Sequence, residues 1–155
     1  MDFWRDLRGV YDKQIVHAGK EEAFWLLIAF LLTFGVVRYI TNAIKAGRGP
    51  FRNIHVKGVR VHHLVPGIIL VLISGYAAIA LHLRLARTLD AVVFGIGAAL
   101  TLDEFALWLH LEDVYWEDRG RRSVDIVIFA AVIASLVVLG FGFWRGIGHI
   151  LTHFL

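Results

Sequence analysis

Asp103 and Glu104 sit side by side in ALTLDEFALWLHLEDVYW, residues 99–116 of a 155-residue chain, among Leu, Phe and Trp. His110, Glu112 and Asp113 follow about two to three helical turns later, and a second pair, His62-His63, opens another apolar stretch. A carboxylate in an apolar membrane helix costs about 2.5–3.5 kcal/mol even on the lenient insertion scale, so it needs a partner or a cavity. Imidazole and carboxylate together suit zinc, iron or manganese. The candidate ligands are His62, His63, Asp103 and His110, with Glu104 as proton carrier. No named metal signature fits: both His-Glu-x-x-His and the Glu-x-x-His of di-iron bundles are absent.

The same residues admit other chemistry. A buried carboxylate beside histidines can relay protons or bind a cation. His62 or His63 facing His110 could hold a haem. The acids could also pair with Arg38, Arg60 or a loop arginine and only fix helix packing. Lys57, Arg119, Arg121 and Arg122, beside Tyr115 and Trp116, suit a phosphate or lipid headgroup. His17, His82, His149 and His153 read as interfacial anchors with no functional weight.

The elements that carry these residues follow from composition and period. Hydrophobic residues make up 58% of the chain and charged ones 19%, below the roughly one quarter of soluble domains. Four stretches, residues 23–40, 64–81, 91–111 and 126–144, approach the ~20 apolar residues that a crossing needs. Phe3, Leu7, Val10 and Tyr11 recur at helical spacing in residues 2–16, which predicts an interfacial amphipathic helix. Ile54, Val56, Val59 and Val61 alternate around Lys57-Gly58, which predicts a small hairpin. Pro66 falls in the first turn of the second crossing, where its missing N–H does no harm. Asp125 is expected to open the fourth, and the rest reads as loop or terminus.

On the third crossing, a turn of about 100° per residue puts Gly95, Ala99, Asp103 and Ala106 on one side, continuing to His110 and Asp113. Small residues four apart mark the face along which membrane helices approach closely, so Asp103 is expected to point into the bundle. Glu104 lies about 100° round, nearer Trp108, and the two acids need not share one partner.

Without cysteines, disulfides, thiolate metal sites and cysteine nucleophiles are excluded. A cleaved signal peptide is not expected, because the first apolar stretch follows a mixed-polarity segment and no small-residue cleavage site succeeds it. The net charge of +3 points to anionic lipid and the cytoplasmic face, not to nucleic acid. Counting Lys and Arg, the first and third connections carry nine and the other ends seven, which sets both odd connections in the cytoplasm of a plasma-membrane protein.

The runs LDEFALWLHLEDVYW, residues 102–116, and HHLVPG, residues 62–67, resemble a family of small, uncharacterised multi-pass bacterial membrane proteins. The resemblance implies no activity, but it groups the two runs in one site. The expectation is an all-α, single-domain integral membrane protein: an antiparallel four-helix bundle after an interfacial helix, with one polar His/carboxylate pocket at one membrane face. That pocket would bind a divalent metal or a lipid headgroup. If it is catalytic, a metal-assisted hydrolase or oxidase acting on a membrane lipid fits its depth. The alternatives are a non-enzymatic structural or partner-binding membrane protein, as a homo-oligomer or with another chain, and proton or cation translocation.

Overall fold

The computed structural model describes residues 3–52, 55–56, 59–60, 62–81, 87–105 and 121–154. Among them the chain forms α1 (Phe3–Tyr11), α2 (Glu21–Lys45), a ribbon of β1 (His55–Val56) and β2 (Val59–Arg60), α3 (Leu64–Tyr76), α4 (Arg87–Asp103) and α5 (Arg121–Phe154). Residues Asp12–Val16 and Ala77–Leu81 continue α1 and α3 in the wider π-helical winding. The ribbon pairs His55 with Arg60 and Val56 with Val59 in antiparallel register, the register expected of a hairpin with a two-residue connection.

Three helices, Glu21–Lys45, Leu64–Leu81 and Val124–Thr152, are long and apolar enough to cross a membrane. Only 11% of each apolar window is buried inside the protein, and Leu72, Ile79, Phe129, Val137 and Phe141 are exposed. Lipid tails can solvate such a surface; water cannot do so without cost. Of the expected third crossing, residues 106–111 lie outside the described residues. The part that is described starts earlier than expected, at Arg87.

α4 is the central element, packed along both α2 and α3, and glycines explain how closely. A Cβ at Gly95 would collide with the backbone oxygen of Leu26 on α2. One at Gly97 would lie 2.9 Å from the Gly67 oxygen on α3, and one at Gly67 2.7 Å from Thr101 Oγ1. Backbones meet backbones at these points, as small-residue stripes permit. Gly95, Ala99 and Asp103 are all buried, as the wheel predicts. α2 runs parallel to α4 and sets Phe30, Phe34 and Arg38, spaced four apart, along it. Phe30, Ala99 and Val127 form the core, with Phe34, Ala98, Leu102 and Ala131 against them.

The fourth apolar helix departs from expectation at both ends. It begins at Arg121, before Asp125, and continues to Phe154 with a break at Gly140, whose φ of 69° and ψ of 169° lie outside the helical region. That conformation is essentially restricted to glycine. Beyond the break, residues 141–154, read from sequence as mostly terminus, form a helical arm that packs back on α1. The physical reason is a second small-residue stripe. Gly142 lies against Gln14 and Gly146 against Val10, so two pairs spaced four apart interlock.

Candidate functional site

The site is built where the end of α2, the start of α3 and the end of α4 converge. Asp103 and Glu104 are 0% and 2% exposed, among the most completely buried side chains of the protein. Their partners come from the other two helices. Arg38 Nε on α2 lies 2.7 Å from Asp103 Oδ1, and Arg38 Nη2 donates to the Asp103 backbone carbonyl at 3.3 Å. The Nε–H is not aimed along the 2.7 Å line, so that contact is made by charge and not by a directed hydrogen bond. The guanidinium also sits 5.4 Å from the centre of the Phe34 ring one turn below, a cation–π contact at its apolar side.

The paired histidines divide between the two acids. His63 Nε2 lies 3.0 Å from Asp103 Oδ2, and His62 Nδ1 lies 2.9 Å from Glu104 Oε1. The other ring nitrogen of His63, Nδ1, is 3.6 Å from the same Glu104 Oε1. His62 and His63 keep 23% and 26% of their side chains exposed. Buried carboxylates are thus covered by rings that reach the surface.

Glu104 has a second task. Leu64 N–H donates to Glu104 Oε2 at 2.8 Å. The first turn of α3 begins after His63, which supplies no side-chain cap. Its free N–H groups are nevertheless all accounted for: Leu64 goes to Glu104, Val65 to the His62 carbonyl at 3.2 Å, Pro66 has none, and Gly67 bonds the His63 carbonyl. A carboxylate at this position also faces the positive end of the helix dipole. Sequence reasoning gave Glu104 the role of proton carrier and missed this capping contact. The signal was present: no Ser, Thr, Asp or Asn precedes Leu64, so the helix start needs an acceptor from elsewhere.

The structure therefore brings together His62, His63, Asp103, Glu104 and Arg38. His110, Glu112, Asp113, Tyr115 and Arg119 lie outside the described residues, as do the side chains of Lys57, Arg60, Arg121 and Arg122. With His110 among them, the haem pairing is not described. Among the described residues, no three His, Asp or Glu side chains are set to hold a metal as they stand.

At the opposite end, Glu22 and Arg87 approach to 4.0 Å. Ser74 on α3 is buried and donates to the Leu70 carbonyl at 2.7 Å, while Tyr76 is exposed. Comparison with protein-family models, curated proteins and solved structures returned no match.

Proposed function

We propose that the chain is an integral membrane protein with four crossings, α4 belonging to the third, and that its polar cluster binds one divalent metal cation. The observation that carries the choice is charge. Two buried carboxylates face one guanidinium, which leaves one unit of negative charge among the described residues when both imidazoles are neutral. Such a group attracts a cation and repels an anionic headgroup.

The ligand set is refined by the distances. His62 Nδ1 and His63 Nδ1 lie 2.9 and 3.6 Å from one oxygen, Glu104 Oε1. Two ligands bound at roughly 2.1 Å to one ion stand about 3.0–3.4 Å apart in tetrahedral or octahedral geometry. An ion entering among these three atoms would replace their hydrogen bonds, with side-chain shifts of a few tenths of an ångström toward those separations. Asp103, anchored by Arg38, would hold His63 by its other nitrogen, the outer-shell arrangement that fixes ring orientation at metal sites. His110 remains a candidate fourth ligand. Imidazole with carboxylate suits zinc, iron or manganese. Lipid-directed hydrolysis or oxidation would be the chemistry, if any, at a metal this near the bilayer surface. The lysine and arginine count favours the α2–α3 and α4–α5 connections in the cytoplasm of a plasma-membrane protein.

A second reading has its own observation. Each ion pair in the cluster joins α4's end either to α2 or to the segment that opens α3, so a structural fastening in a partner-binding protein accounts for the same distances. Metal analysis separates the two. The protein, purified in detergent without chelator, is expected to carry about one metal per chain by mass spectrometry. Glu104→Gln and His63→Ala should lose it, and added zinc or manganese should raise the melting temperature of the wild type alone. Metal-free protein that no added divalent cation stabilises would sink the metal reading and leave the fastening.

A further inference from the structure

The far end of the molecule carries a second polar feature that owes nothing to the His/carboxylate cluster. α1 and the arm 141–154 run antiparallel, interlocked at Gly142 against Gln14 and Gly146 against Val10. Along this seam opens a cleft of about 700 Å³ lined by Arg5, Asp6, Lys13, Arg145 and His149, with Val10 and buried Ile150 beneath. Arg5 and Lys13 come from one end of the sequence and Arg145 from the other. Only the folding of the arm brings them together.

The charge around the cleft is unbalanced. Arg8, on the same helix, lies 3.9 Å from Asp12. Among the described residues, Arg5, Lys13 and Arg145 have no carboxylate within ion-pair distance, and Asp6 is the only acid lining the cleft. Three fixed cations against one carboxylate form an anion site, and two arginines supply the planar forks that bind phosphate oxygens in pairs. The depth is also defined. Lys20, the residue before α2, has its Nζ 3.3 Å from the Cβ position of Gly140, so the seam lies at the level where the crossings begin.

We propose that this cleft binds the phosphate of an anionic phospholipid headgroup. The lipid is preferred over free phosphate because apolar side chains floor the cleft and exposed Trp4 is the sequence neighbour of its lining residue Arg5, an apolar surface against which acyl chains would lie. The inference rests on the membrane reading above but not on the metal site. Its failure leaves the metal analysis untouched.

The test uses the full chain in a neutral detergent with phosphatidylglycerol, phosphatidylcholine or inorganic phosphate added, read by native mass spectrometry and by melting temperature. Phosphatidylglycerol is expected to stay bound at about one per chain and to raise the melting temperature, with phosphatidylcholine ineffective. Arg5→Gln with Arg145→Gln should weaken retention by roughly tenfold or more, since two charged phosphate contacts are lost. Arg8→Gln, a charge of the same helix already paired with Asp12, should leave it unchanged. Should the double variant fail to fold, Lys13→Gln alone must show a smaller loss in the same direction. Equal effects of the two lipids, equal loss in Arg8→Gln, or full stabilisation by inorganic phosphate alone would each overturn the proposal.

Discussion

The two ends of the bundle use charge in opposite ways. Where α2, α3 and α4 converge, Asp103 and Glu104 are sealed from solvent and each is held by a partner from another helix. Where α1 meets the arm, Arg5, Lys13 and Arg145 are exposed around an open cleft. The same contrast runs through the packing. Along α4 glycines bring backbone against backbone, at Gly97 with Gly67 beside the first end and at Gly95 with Leu26 farther along the helix. At the second end they bring backbone against side chains that can move, Val10 and Gln14. One end is rigid because nothing in it can yield without leaving a charge or a carbonyl unpaired. The other end is closed by softer contacts, which suits a surface that takes up a ligand.

Removing a single charge from the first end should have the largest effect. Arg38→Met leaves the Asp103 carboxylate buried without its guanidinium, and breaking a buried pair costs roughly 3–5 kcal/mol. The expected outcome is a fall of many degrees in the melting temperature in detergent, monitored by circular dichroism. Arg38→Met combined with Asp103→Leu should recover much of that loss, because the stranded charge is gone. A double variant as unstable as the single one would show that the pair contributes through more than charge compensation. The corresponding change at the other end, Arg145→Gln, should leave the melting temperature of lipid-free protein nearly unchanged, since exposed charges contribute little.

Much of this contrast could be read from the sequence, and what could not has a physical reason. The stripe Gly95, Ala99, Asp103 has the helical period, so the burial of Asp103 followed from spacing alone. The antiparallel-bundle expectation and the resemblance put His62-His63 and the acids in one pocket, and the structure brings them together. What failed were features that depend on a residue's conformation or on contacts distant in sequence. Gly140 looks like any glycine in an apolar run until its φ is known. The arm beyond it therefore merged with the fourth crossing and a tail. Gly142 and Gly146 carry the four-residue spacing that marks a contact face, but spacing does not say that the partner is α1. Glu104 as the cap of α3 required knowing how near α4 comes to that helix start, a distance set by the glycines and not by any motif.

An added methyl group sharpens the rigid-versus-soft distinction further. Gly95→Ala places a Cβ against the Leu26 carbonyl, which cannot move without shifting α2. Overpacking of this kind costs about 1–3 kcal/mol, and the metal or ion-pair geometry at Asp103, two turns along the same face, should be disturbed with it. A clear drop in melting temperature is expected, together with weaker metal retention if the metal reading holds. A variant as stable as the wild type would show that the helices have room to separate at that point.

The smallest effect is expected from the same change at the soft end. In Gly146→Ala the new Cβ would meet Val10 Cγ2 at 3.0 Å and Cγ1 at 3.2 Å. Both are methyl groups on a side chain that can turn about χ1, and α1 is not fixed by a buried charge. Against the remaining strain stands the helix propensity of alanine over glycine, about 1 kcal/mol in alanine's favour. The two terms are of similar size, so the melting temperature should move by no more than a degree or two in either direction. Gly140→Ala, six residues away, separates this cost from conformational strain. Its φ of 69° with ψ of 169° disfavours any side chain, at about 1–3 kcal/mol, and no gain in helix propensity applies at a non-helical position. Gly140→Ala should therefore lower the melting temperature more than Gly146→Ala and loosen the arm, read as faster hydrogen exchange over residues 141–154. If Gly146→Ala proves the more damaging of the two, the seam between α1 and the arm is as tightly packed as the buried end, and the contrast between the ends reduces to charge alone.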